Sequence, residues 1–112
     1  MIRADLVLEG GLFKSCSIRG HAGAGPKGGD IVCAAVSVLS RTAYKVLSDR
    51  KGVTVRSEAP NRGEFFLEAS GDGSRENRDF LDGAGVFLKE GLLSVSREFP
   101  EFCEVNIVNA EE

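Results

Sequence analysis

Two side chains in this sequence can do covalent chemistry as a pair. His21 is the only histidine, and Cys33 is one of three cysteines. They stand twelve positions apart (33 − 21) within RGHAGAGPKGGDIVCAAVS, Arg19 to Ser37. That stretch holds five of the chain's 14 glycines and no large apolar residue before Ile31. A thiol reacts as thiolate. Histidine is the side chain that accepts a proton near neutral pH without a special environment. Together they suit nucleophilic attack on a carbonyl.

The elements that must position this pair follow from residue pattern. Asp30 is a good N-cap, and a helix is expected from about Ile31 to Asp49. Cys33 then falls in the first turn, where unpaired N–H groups and the helix dipole favour an anion and suit an oxyanion. Ser37 lies one turn on, beside Cys33. Asp30 either caps the helix or orients His21, and capping is the commoner role. The glycines allow close approach of backbone to a substrate and closure of a lid.

Two other readings compete. Gly23, Gly25 and Gly28 satisfy the G-x-G-x-x-G phosphate pattern. Here, however, the strand before it is a hairpin arm, Pro26 removes an N–H, and the acidic residue about 20 positions on, Asp49, ends a helix. The other reading is packing. Free cysteine is among the most buried residue types, and composition alone favours this reading over chemistry. Cys16 and Cys103, with no histidine or helix start beside them, read as packing residues.

Alternation in Ile2 to Glu9 predicts a strand with Ile2, Ala4, Leu6 and Leu8 on one face. Gly10-Gly11 predicts a two-residue turn into a second strand, Leu12 to Arg19. There Lys14, Cys16 and Ile18 share one face, and Phe13 lies on the other. In the first helix Val32, Val36, Leu39, Ala43 and Val46 form the main apolar stripe. Cys33, Ser37, Ser40 and Tyr44 form a more polar one beside it. Apolar residues on most of its sides predict central burial. Strands follow at Val53 to Glu58 and Glu64 to Ser70, joined by the turn Pro60-Asn61-Arg62-Gly63. A second helix spans about Arg75 to Glu98, and a last strand Phe102 to Val108. The order is ββαββαβ, an α+β class: a largely antiparallel sheet with two helices on one face.

Bulk properties narrow the function. At 112 residues the chain makes one domain, 1–112. Its formal charge of −3 argues against direct nucleic-acid binding. No apolar run approaches the ~20 residues of a membrane span, and no signal peptide is visible, so a cytoplasmic location without membrane contact is expected. Three cysteines at no metal-like spacing fit reduced thiols. One histidine and no paired cysteines predict no metal site, and no cofactor is called for.

GHAG (Gly20 to Gly23) followed by the pattern GxDIVCAAVS (Gly28 to Ser37) closely resembles the ribosomal-processing cysteine protease family, Prp. The resemblance extends along the chain. It implies a small, homodimeric cysteine endopeptidase that removes a short N-terminal extension from a large-subunit ribosomal protein. It implies catalytic roles for His21 and Cys33, and places the motif's glycine, aspartate and hydroxyl at Gly20, Asp30 and Ser37. It also implies a mobile loop that orders around the substrate. Some members carry an acidic residue in that loop, whereas Ala22 to Gly29 has none and carries Lys27. The alternative from another class is a non-catalytic ribosome-assembly or peptide-binding module of the same fold.

Overall fold

The computed structural model describes residues 1–21 and 27–110. Its elements are β1 (Ile2–Glu9), β2 (Leu12–Arg19), α1 (Lys27–Ser48), β3 (Thr54–Glu58), β4 (Glu64–Ser70), α2 (Arg75–Glu98) and β5 (Cys103–Ala110). This is the ββαββαβ order of an α+β fold. The strands form one sheet, ordered β3-β4-β2-β1-β5. β1 and β5 pair in parallel, and the other three pairings are antiparallel.

Local chemistry explains the pieces. Gly10 and Gly11 have φ of 57° and 84°, as a type I′ hairpin turn requires. Ile2, Ala4, Leu6 and Leu8 of β1 are all buried. β2 departs from simple alternation: Val7 pairs with Ser15 but Leu8 with Phe13, so Lys14 is an extra residue. This bulge turns Phe13 onto the buried face with Cys16 and Ile18. Alternation alone places Phe13 opposite Cys16, and the bulge corrects that.

Two crossovers carry the helices. The chain passes from β2 through α1 to the parallel strand β3, and from β4 through α2 to the parallel strand β5. The strands entering these crossovers are antiparallel, and the crossovers run in opposite directions along the sheet. Right-handed connections then place both helices on one face. The two helices pack on each other, and α2 also lies on β1, β2 and β5. Leu6 and Leu67 from the sheet and Leu47, Leu88 and Leu92 from the helices are essentially fully buried. Each such side chain stabilises the fold by roughly 1.5–3 kcal/mol.

α1 differs from expectation in two ways. It begins at Lys27, a turn before Ile31. Asp30 therefore lies inside the helix and is not its cap. The helix is also not central. Between Ile31 and Ser48 only 22% of residues are buried. Leu47 and Ser40 join Val32 and Val36 in the interior, while Val46 and Val38 are exposed. The same 18-residue window, with mean hydropathy 1.3, has the length and composition of a membrane span, which the expectation of no such run did not include. Its apolar content is divided between the core and an outward band.

α2 starts on a buried polar node. Ser74 is its N-cap, accepting from the Asn77 N–H at 3.2 Å. Asn77, 4% exposed, donates from its side chain to the Lys51 carbonyl and to Asp72 Oδ1, both at 3.1 Å. It accepts from Arg50 Nε at 2.7 Å. The Arg50 guanidinium in turn lies over the Phe80 ring at 4.8 Å. Asn77 so ties the end of α1 to the start of α2. Hydrogen bonds from Ser74, the hydroxyl first and then the N–H, and from Asn77 lower the Asp72 carboxyl from 3.8 to about 2.

Replacing Asn77 strands several buried groups at once. Asn77→Ala is predicted to lose about 2–3 kcal/mol in urea unfolding; a loss below about 0.5 kcal/mol would contradict the node. A lowered carboxyl contributes stability that is present above its ordinary value and lost as pH falls through the folded value. Wild type should therefore lose stability between pH 4 and 2 more steeply than Asp72→Asn, by thermal melts across that range.

Candidate active site

The site assembles where β2 ends. Arg19 pairs with Glu64, the first residue of β4. Gly20, with φ of 99°, donates its N–H to the Gly63 carbonyl at 2.9 Å. His21 follows, and its carbonyl accepts from the Met1 amino group at 2.5 Å. The backbone around His21 is thus held by two other segments, while its side chain is exposed.

α1 supplies the opposite wall. Cys33, Ser37 and Ser40 face one side of this helix and enter an open cleft of about 310 Å³ shared with Gly20 and His21. Ile2, Ile18 and Phe65 add apolar surface to it, and Arg41, Arg62 and Glu64 add charge. Asn61 Nδ2 donates to Glu64 Oε1 at 2.9 Å. Ser40 is buried and donates to the Ser37 carbonyl at 3.2 Å. This volume and mixed lining suit a few residues of an extended peptide.

The structure brings together four of the five residues singled out in the sequence: Gly20, His21, Cys33 and Ser37. Asp30 lies within the helix, and its side chain is outside the described ones. Residues 22–26, the greater part of the expected mobile loop, also lie outside the described residues, whereas 27–29 are helical rather than loop. The earlier helix start also corrects the role given to the helix terminus. Cys33 is in the second turn, about 9 Å along the axis from Lys27. The unpaired N–H groups and most of the dipole effect belong to the first turn, so they are removed from the oxyanion role.

The contribution of the β3–β4 connection is not legible in the sequence. Arg62, Gly63, Glu64 and Phe65 line the cleft, yet Pro60-Asn61-Arg62-Gly63 carries only a turn signal. Their proximity to His21 depends on β4 pairing with β2, a nonlocal fact.

The three thiols separate clearly. Cys16 is buried, and burial, aided by the negative charge of Asp5, pushes its thiol up to about 12. Cys103 is buried, and burial raises its thiol as well. Cys33 is partly exposed on the cleft wall. Iodoacetamide on the folded protein should label Cys33, with Cys16 and Cys103 reacting only after denaturation, by peptide mass mapping. Equal labelling of all three would contradict this arrangement.

A family model described as cysteine protease Prp matches residues 1–104. No curated protein matches the chain. Among solved structures, SMU.848 from Streptococcus mutans is 27% identical, with a TM-score of 0.79 over 97% of this chain and 95% of that one. The essential ribosomal processing protease Prp from S. aureus in complex with a substrate peptide is 20% identical, with a TM-score of 0.78. The same protease with a covalently linked product peptide is 21% identical, with a TM-score of 0.76. Both comparisons cover 96% of this chain and 99% of the other; at these identities they show a common fold. The family match takes in β1 to α2 and only the first two residues of β5, and on it the chain belongs to the Prp family of cysteine proteases.

Proposed function

We propose that this chain is a cysteine endopeptidase that removes a short N-terminal extension from a large-subunit ribosomal protein in the cytoplasm. One observation carries the proposal: the only histidine and the only cleft-lining cysteine of a Prp-family chain share one cleft. In this reading His21 takes the proton from the Cys33 thiol. The thiolate attacks the scissile carbonyl carbon, giving a tetrahedral oxyanion. That intermediate collapses with cleavage of the C–N bond, and the imidazolium protonates the leaving amine. Water, deprotonated by His21, attacks the thioester and releases the new carboxylate. The thiol is then restored. Ser37 lies one turn from Cys33 and is available to bind the peptide, as is Gly20 beside the imidazole. The covalently linked product peptide on the S. aureus enzyme supports a covalent route.

The same reading includes a homodimer. Its support is the outward face of the two helices. Phe87 is 70% exposed and Val38 64%, with Val86 and Val46 also exposed. Leu39, Thr42, Ala43 and Val46 of α1 and Ala84, Phe87 and Leu88 of α2 form an apolar groove of about 280 Å³. An aromatic knob beside an apolar hole is self-complementary under two-fold symmetry.

The test is direct. A synthetic peptide carrying the N-terminal extension of the source organism's ribosomal protein should be cleaved by wild type. Cys33→Ala should lower kcat/KM by roughly 10³-fold or more; undiminished cleavage would refute the mechanism. Phe87→Glu should shift sedimentation at micromolar concentration from twice the chain mass to the monomer. A dimer that survives the change would place the interface elsewhere.

A further inference from the structure

We infer that Gly63 is a positioning residue for His21: the lack of a side chain in the β3–β4 connection sets where the imidazole stands. The inference rests on the reading of His21 as the base. Two independent demands meet at Gly63. Its φ is +81°, a conformation that L side chains rarely adopt. A Cβ there would also lie 2.6 Å from His21 Cε1, 2.7 Å from Nε2 and 3.2 Å from the Gly20 carbonyl oxygen. Ordinary carbon contacts lie near 3.5 Å or beyond, so something must move by about 1 Å.

The backbone is the firmer partner. Gly63 is hydrogen-bonded to the Gly20 N–H, and the next residue, Glu64, already pairs with Arg19. The imidazole is the exposed end of a side chain, so it yields. Such a shift costs the fold little, but a 1 Å error in a reacting group can cost on the order of 10²-fold in rate. Gly63 thus governs the site without touching substrate chemistry.

Two other glycines serve as matched controls. Gly11 has φ of +84° and Gly73 of +87°, yet a Cβ at either would meet nothing within 4 Å. Gly11→Ala and Gly73→Ala carry the same backbone strain with no ring to displace. Because His21 is the only histidine, its Cε1–H resonance is unambiguous in ¹H–¹³C spectra. At one fixed pH, Gly63→Ala should move this resonance, and neither control should. On the synthetic ribosomal-protein peptide, Gly63→Ala should lower kcat by roughly 10- to 100-fold with KM little changed, while the controls keep wild-type kcat. Thermal melts should show similar losses for all three. An unmoved imidazole resonance in Gly63→Ala, or an equal shift in the controls, overturns the inference. If wild type cleaves no peptide, the protease reading fails, and the imidazole resonance still decides whether Gly63 positions His21.

Discussion

The pairing of β2 with β4 is the constraint on which the rest of the site depends. It brings the end of one hairpin beside the start of another, so Arg19 meets Glu64 and Gly20 meets Gly63. Without that register His21 would leave β2 into open solvent. With it, Gly63 holds the backbone at Gly20, on the side opposite the Met1 amino group that holds the His21 carbonyl, and the ring lies against a residue that has no side chain. Cys33 needs no such device. It rides on α1, whose orientation is set by Val32, Val36 and Leu47 in the core.

α1 serves two surfaces at once. Cys33, Ser37 and Ser40 look toward the cleft, while Leu39, Thr42 and Val46 look toward α2 and the outward groove. At 100° per residue these sets occupy opposite flanks of the buried stripe. A change of helix tilt would therefore alter both the thiol and the apolar groove. If the groove is a self-interface, dimer formation and thiol placement act on one rigid element.

Local patterns were readable where local chemistry decides them. The bounds of β1, β2, β4 and α2 agree with those expected from the residue pattern. Of the more polar stripe Cys33, Ser37, Ser40 and Tyr44, the first three line the cleft and Tyr44 does not. What was not readable is nonlocal or conformational. Periodicity cannot say which flank of an apolar helix faces the core: the expected stripe includes Val46, which is exposed, and leaves out Leu47, which is buried. Glycine pairs argue against helix, so Gly28-Gly29 hides the start at Lys27. A bulge is invisible to strict alternation, and it moved Phe13 inward. The partnership of Gly63 with His21 spans 42 positions (63 − 21) and exists only once the sheet has formed.

In the proposed mechanism His21 and Cys33 act as one chemical unit. The most direct measurement is the rate at which iodoacetamide alkylates Cys33 at pH 7 in wild type and in His21→Ala, followed by mass mapping of the Cys33 peptide. If the imidazole draws the proton from the thiol, the rate should fall by roughly tenfold or more when the ring is removed. An unchanged rate would mean that the two residues share a cleft without sharing a proton, and the account of catalysis would fail.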